Sequence, residues 1–319
     1  MVAAASSGQI YAERLMKILI TGAGGMLGSD LASCLSAKHE VVGIGRHPAA
    51  HLQIPVQVGD LSQIDVASKL IRSNRPEIIL HAAAMTDVDR CETERTEALR
   101  QNFMVTRIVT ELANSLKALL VYFSTDYVFD GTKKDPYGET DTPHPLSVYG
   151  ETKFLGERYL LLRSRRFLIL RTSWTFGKHG DNFPKKILTQ AAERKPMQVV
   201  SDQFGSPTYT ADLAKAVAQI LEQWPRAEKK ATNQIYHVAN GGRVSRFEFA
   251  RTILKKKNYP VDLVTPITSE QGIRPARRPQ NSVLSTEKVK EQLGIRLRSW
   301  EEGLNAFLQE ETLKVDAKA

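Results

Sequence analysis

At 319 residues with 42% hydrophobic side chains, the chain can bury a substantial core as one large or two ordinary domains, which excludes a disordered or purely structural polypeptide. The formal charge of +9 comes from Lys and Arg scattered without an arginine-rich arm or interleaved aromatics. It argues against nucleic acid as a partner and is read as a solvated surface that attracts an anionic small substrate.

Residues 1–15, "MVAAASSGQIYAERL", lack a basic start followed by a long apolar core, so they are read as a disordered leader and not a secretory signal. Met16 then opens the folded unit. From 16 to 173, aliphatic runs alternate with amphipathic segments: "KILIT" (17–21), "EVVGIG" (40–45), a short strand before "VGDLS" (58–62), "EIILHAAA" (77–84), "LLVYFST" (119–125) and "FLILRTS" (167–173). Continuous apolar strands joined by helical crossovers predict a Rossmann-like α/β fold, a doubly wound parallel sheet covered on both faces. From 174 to 319 the rhythm changes to polar Gly/Pro loops between helices near 183–194, 210–223, 246–257 and 300–311, with isolated strand-like pieces "MQVV" (197–200) and "QIYHVA" (234–239). This half is expected to be a smaller, mostly helical substrate-binding lobe that exchanges some chain with the sheet. Its apolar runs, and those of the first half, fall far short of the roughly 20 residues that span a bilayer, so no membrane association is expected. The two cysteines, Cys34 and Cys91, are too few for a disulfide framework or a cysteine metal site. Both are read as small buried hydrophobes in a reducing, cytoplasmic compartment.

Three stretches carry chemistry. "ITGAGGMLG" (20–28) follows the first strand and opens a helix, with Gly22, Gly25 and Gly28 spaced for a tight turn, close approach of a pyrophosphate and close helix–strand packing. At the end of the second strand Gly45 and Arg46 stand where an NAD-selective site offers an acid. A guanidinium there pairs with a 2′-phosphate, so NADPH is the expected cofactor with NADH still possible. Asp60, with Leu61 beside it, is a candidate partner for the adenine, and "HAAAMTDVD" (81–89) is a strand end thinned to alanines where a ligand passes closely. Finally "VYGETKF" (148–154) puts Tyr149 and Lys153 on one helix face. A nearby ammonium lowers a tyrosine pKa from about 10 and makes the phenol a proton donor to a carbonyl. Ser124 and Thr125, at the end of a parallel strand, are candidates to hold the substrate oxygen beside it.

Taken with "STDYVFDG", "YGETKFLGE", "RTSW", "NFPKKIL", "VVSDQFGSPTYTADLA" and "RPQNSVL", these motifs resemble the extended short-chain dehydrogenase/reductases, from about Met16 to about Leu308. Within that superfamily the chain is most similar to the dTDP-4-dehydrorhamnose reductase family. The resemblance implies NADPH-dependent reduction of the C4 ketone of dTDP-4-dehydro-L-rhamnose, with Thr125, Tyr149 and Lys153 as the catalytic trio and Ser124 beside them. It implies Gly22, Gly25, Met26, Leu27 and Gly28 along the pyrophosphate, Asp60 and Leu61 at the adenine, Ala82, Ala83 and Ala84 at the inner ribose and nicotinamide, and Asn102 on the nicotinamide side. For the sugar nucleotide it implies Thr86, Val88, Trp174, Asn182 and Arg278. The residues themselves leave alternatives: Trp174 as core, Asn182 as a helix cap, and Arg274 or Arg277 in the place of Arg278. Some members of the family are dimers bridged by magnesium, but the matching positions here are Asp30, Ala211 and Glu301, and alanine cannot ligate. No metal is therefore expected, and the chain is expected to be a monomer or weak homodimer. Other readings are a 4-ketoreductase for another nucleotide-linked deoxysugar, or a non-catalytic NADP-binding regulatory subunit like the β subunit of methionine adenosyltransferase. Dehydratases of the superfamily place Asp–Glu after the strand-end Thr, whereas Asp126 is followed by Tyr127, which favours net reduction.

Overall fold

The computed structural model describes residues 14–231 and 233–316. The expected leader lies outside the described residues except for Arg14 and Leu15, where the Arg14 guanidinium pairs with Glu77. Six strands and the helices between them build the first half in the expected order. They are β1 Lys17–Thr21, α1 Met26–Leu35, β2 Glu40–Gly45, β3 Val56–Val58, α2 Ile64–Asn74, β4 Ile78–His81, α3 Val88–Thr93, α4 Arg95–Ala98, α5 Val105–Leu116, β5 Leu119–Thr125, α6 Val148–Arg163 and β6 Phe167–Thr172. All strand pairs in this sheet are parallel, and β5, buried at every position, reads as an unbroken apolar run because helices cover both its faces.

The sheet has seven strands, not six. Gln234–His237 adds in parallel to the open edge of β6, giving the order Gln234–His237, β6, β5, β4, β1, β2, β3. The stretch "QIYHVA", expected as an isolated piece of the second lobe, is thus part of the first layer, and Tyr236 and Val238 lie in its core. The helix Thr210–Ala231 behaves likewise: Leu213, Val217, Ile220 and Leu221 pack with Leu31 and Leu35 of α1 against one face of the sheet. Some exchange of chain with the sheet is expected from the sequence, but nothing in the local pattern of these segments names the surface they cover.

The remaining chain packs around an aromatic cluster in which Phe176 stacks on Tyr209 at 5.6 Å between ring centroids, with Phe249, Phe307 and Trp300 around them. Short strand pairs hold its loops, Met197–Val200 with Val264–Ile267 and Phe204–Gly205 with Val244–Ser245. Among the described residues no helix is long and apolar enough to cross a membrane. Cys91 is buried, whereas Cys34 is only half-buried, contrary to expectation.

The strand order reverses between β1 and β4, so Thr21, Gly45, His81, Thr125 and Thr172 end along one rim of the sheet. Ligands of open α/β sheets sit outside this edge, where loops diverge to either side.

Candidate active site

The glycine loop is shaped by two close approaches. Gly22 has φ +69°, and a Cβ there would lie 2.8 Å from the Ala83 backbone. At Gly28 a Cβ would come within 2.2 Å of the Gly22 carbonyl, so the first turn of α1 presses directly on the loop. Gly25, the N-cap of α1, has no side chain to satisfy the free amides of that turn. They are left for an anion, with the positive end of the helix behind them. A cradle that side chains would fill, ending at bare helix amides, fits a dinucleotide pyrophosphate.

Beside it lies a cavity of about 330 Å³ lined by Gly22, Gly25, Gly45, Arg46, Asp60, Leu61 and Ala82–Ala84, and also by His47, His51 and Gln101, which the sequence did not single out. Asp60 accepts from the Ser62 amide at 2.9 Å, and Arg100 approaches it at 3.6 Å. Partial burial works against its charge, but the Ser62 hydrogen bonds and the Arg100 and Arg46 cations win and hold the carboxyl below its usual range.

A second cavity, about 320 Å³, shares Gly22, Gly25, Ala82 and Ala84 with the first and continues past Met26, Leu27 and Gly28 to Thr86, Val88, Ser124, Thr125, Tyr149, Lys153 and Trp174. The seating of Tyr149 and Lys153 follows from small residues on α6. Ser147 caps the helix by accepting from the Gly150 amide at 3.2 Å. A Cβ on Gly150 would meet the Tyr127 carbonyl at 2.2 Å, and one on Gly156 the Tyr122 hydroxyl at 2.4 Å. The helix thus lies flat on β5, and the Tyr122 hydroxyl donates to the Lys153 carbonyl at 3.1 Å.

Lys153 is 3% exposed, its ammonium 4.1 Å above the Tyr122 ring. Burial pulls it down to about 7, against an upward push from Glu157 one turn on. Glu157 is held by a buried bidentate pair with Arg171, at 2.9 and 2.7 Å. The expectation that Lys153 lowers the Tyr149 pKa is corrected here. Burial pushes the phenol up from its ordinary value, Thr125 alone draws it down, and Asp126 adds to the rise.

Ser124 Oγ is buried without a hydrogen-bond partner, an orphan hydroxyl in the cavity wall. Trp174 is forced into the left-handed region at φ +44°, with the Arg246 guanidinium 3.5 Å over its ring and its indole against Gly205. Arg246 also borders a third cavity of about 970 Å³, lined by Phe183, Gln203, Arg274, Arg277 and Arg278. "VSRFEF" looks like an ordinary helix start, so nothing local marked Arg246.

Two expected contacts fall elsewhere. Asn102, fully buried in a π-helical turn, Leu99–Met104, lines neither of the first two cavities. Its Oδ1 accepts from the Met85 amide at 2.7 Å, while Nδ2 donates to the Met85 carbonyl at 3.1 Å and to Thr152 at 3.0 Å. With its hydrogen bonds spent inside the protein, it ties the alanine loop to α6 from beneath. Asn182 caps the helix Phe183–Ala192 by accepting from the Lys185 amide at 3.2 Å and donates to the Gly177 carbonyl at 2.7 Å. Arg278 does border the third cavity, but Asp89 already grips both its Nη atoms, at 3.1 and 2.9 Å. Asp30 accepts a hydrogen bond from Thr210.

A parallel sheet with this glycine cradle and a Tyr–Lys helix beside the second cavity defines a Rossmann-type, NAD(P)-dependent oxidoreductase of the extended short-chain dehydrogenase/reductase kind. The model of the RmlD substrate-binding domain family matches residues 16–313. A dTDP-4-dehydrorhamnose reductase of Aggregatibacter actinomycetemcomitans is 39% identical over 302 residues, 91% of this chain and 97% of that protein. The spore coat polysaccharide biosynthesis protein SpsK of Bacillus subtilis is 36% identical, covering 95% of this chain and all of that one. The crystal structure of the Bacillus anthracis dTDP-4-dehydrorhamnose reductase in complex with NADP superposes with a TM-score of 0.84 at 34% identity, covering 93% of this chain and 100% of that one. The chain belongs to the dTDP-4-dehydrorhamnose reductase family.

Proposed function

We propose that the protein reduces the C4 ketone of dTDP-4-dehydro-L-rhamnose to the alcohol with NADPH, with Tyr149 as the proton donor. The observation that carries this reading is the wall of the second cavity, where Tyr149, Thr125 and the orphan hydroxyl of Ser124 meet between the glycine cradle and Trp174. A reduced dinucleotide held at its pyrophosphate by that cradle would supply the hydride from its nicotinamide. The chain's own residues do the rest. Ser124, whose hydroxyl has no other partner, donates a hydrogen bond to the ketone oxygen, Thr125 steadies the phenol beside it, and a phenol that keeps its proton at neutral pH delivers it as negative charge develops there. Lys153, poised near neutrality, becomes fully charged when anionic ligands enter and then favours the phenolate left behind.

Trp174 and the arginines of the third cavity suit a sugar followed by a diphosphate. Thr86 and Val88 line the second cavity with Trp174 and complete the sugar pocket. The exposed Arg46 at the rim of the first cavity suits a 2′-phosphate, which favours NADPH over NADH. The division of labour would be a cofactor unit, 16–173, and a substrate lobe, 174–319, whose Thr210–Ala231 helix and Gln234–His237 strand are lent back to the first. We place this chemistry in a monomer or weak homodimer in the cytoplasm.

The test is to follow cofactor oxidation with dTDP-4-dehydrorhamnose, in parallel with NADPH and NADH. Turnover with NADPH at the higher kcat/KM is expected. Absence of oxidation with this sugar, alongside turnover of a different nucleotide-linked 4-keto sugar, would reassign the substrate within the same chemistry.

A further inference from the structure

Asp126 has no part in the chemistry described so far, yet it is the carboxylate in the wall of the catalytic cavity, 2% exposed, in the turn Asp126–Val128 that follows β5. One oxygen accepts from Thr125 Oγ1 at 3.0 Å and the other from Ser173 Oγ at 3.0 Å. Thr125 Oγ1 in turn accepts from the Tyr127 amide at 3.1 Å, and the Tyr149 phenol lines the same cavity beside it. A hydroxyl has a single proton, and Thr125 stands between two groups that compete for it. With Asp126 ionised, Thr125 donates to the carboxylate and accepts from the Tyr149 hydroxyl. With Tyr149 deprotonated, the favourable arrangement is reversed: Asp126 donates to Thr125, and Thr125 donates to the phenolate.

We propose that Asp126 resupplies, through the Thr125 hydroxyl, the proton that Tyr149 gives to the substrate oxygen. In this step the Asp126 O–H bond breaks as a Thr125 O–H forms, and the original Thr125 O–H breaks as the Tyr149 O–H forms. No electrons change hands, and Asp126 ends as a carboxylate that regains its proton from solvent through the cavity. Asp126 acts through Thr125, so it is a positioning and relay residue, not one that meets the substrate.

The surroundings support a carboxyl able to hold a proton near neutrality. Burial raises it to about 6, against hydrogen bonds from Ser282, Thr125 and Ser173 and the cation of Arg246. Arg246 faces it from the helix Arg246–Lys256 and Tyr149 from α6, while Tyr127 lies in its own turn with Arg278 beyond. An isolated carboxyl that deep would bind its proton still more tightly, and an exposed one would have none to give.

The inference rests on Tyr149 as donor, so three chains are compared: wild type, Asp126→Asn and Tyr149→Phe. Asparagine keeps the acceptor for Thr125 but carries no proton that can be passed on. In wild type, kcat is expected to fall as pH rises through about 6. In Asp126→Asn the profile is expected to be flat, with kcat roughly tenfold lower at the acid end and KM for both ligands unchanged. A purely structural role would shift KM and leave the shape of the profile alone. A second readout needs neither cofactor nor sugar: the infrared carbonyl band of a protonated carboxylic acid, present in wild type below about pH 6 and missing from Asp126→Asn. Asp126→Asn with a wild-type profile, alongside an inactive Tyr149→Phe, overturns the relay and spares the donor. Retained turnover in Tyr149→Phe overturns both. Should Asp126→Asn fail to fold, a wild-type spectrum without a titrating buried acid overturns the relay by itself.

Discussion

A phenol whose charged form loses water on burial is a poor acid at rest, and that is how Tyr149 stands in the second cavity. Its use as a donor therefore depends on charge that appears only in the reaction, when the ketone oxygen becomes an alkoxide and pulls the proton across. Tyr149→Phe removes the proton and little else, because the ring remains to pack at right angles, 77°, against Tyr127. Turnover should fall by at least about 10²-fold, a barrier increase of about 2.7 kcal/mol, with NADPH affinity unchanged in a fluorescence titration. Arg46 poses the complementary question at the far end of the cleft. It is exposed and has no acid in its place, so Arg46→Asp should lower kcat/KM for NADPH by about tenfold or more, the scale of a lost charge-assisted hydrogen bond. The same variant should leave or improve the use of NADH, and parallel steady-state assays with the two cofactors check both directions. Arg46 could be singled out in the sequence because it directly follows a strand, and Tyr149 because it stands one helix turn before Lys153. Arg246 was not: it reaches Trp174 only through the fold of a lobe that begins about 70 residues earlier, and no spacing rule records that approach.

The elements that carry these side chains were legible to different degrees for a physical reason. The strands other than the short, partly exposed edge strand β3 announce themselves as largely apolar runs, and a chain that buries both faces of a strand has few other folds to adopt. Gln234–His237 and Thr210–Ala231 are just as strand-like and helix-like, but which sheet they join is decided by an open edge and an uncovered face elsewhere in the chain. The join is reinforced by charge beneath α6. Glu157 and Arg171 are 0% and 2% exposed at their side chains, and Arg171 Nη1 lies 3.4 Å from His237 Nε2 on the edge strand. Such a pair is weak evidence for stability as it stands, yet breaking it strands a charge. Arg171→Met should cost about 3–5 kcal/mol in urea unfolding, and Arg171→Met with Glu157→Leu should recover most of that loss. A double variant as unstable as the single one would mean that the arginine contributes by packing alone, for instance against the Phe129 ring 5.1 Å from its guanidinium carbon.

For the molecule as a whole, the groups hidden in the sheet set its response to acid. His81 donates or accepts at both ring nitrogens, to Thr21 at 2.7 Å and Thr106 at 3.0 Å, and burial holds it neutral down to about 3. His237 is held down to about 3 as well, first by burial and then by Arg171. For both, the folded pKa lies below the unfolded value of about 6.5. Above that pH neither state binds the proton and the histidines are silent. Below it the unfolded chain binds a proton that the folded one refuses, so each lowers stability by up to about 1.4 kcal/mol per pH unit as acid is added. Asp126 works in the opposite sense. Its folded pKa of about 6 lies above the unfolded value, so between pH 6 and about 4 the folded state binds the extra proton and gains stability as pH falls. In that window two histidines act against one aspartate, leaving a net loss of about 1.4 kcal/mol per pH unit. Asp126→Asn removes the opposing group, so its stability should fall about twice as steeply over the same window, about 2.8 kcal/mol per unit, although near neutral pH it is spared the burial of a carboxylate and starts from a higher value. His81→Gln should flatten the slope instead. Urea midpoints for the three chains, at several pH values between about 4 and 7, separate these outcomes. Parallel slopes in wild type and Asp126→Asn would show that the carboxyl titrates at the same pH folded and unfolded, and with that the buried acid behind Thr125 would lose its physical basis.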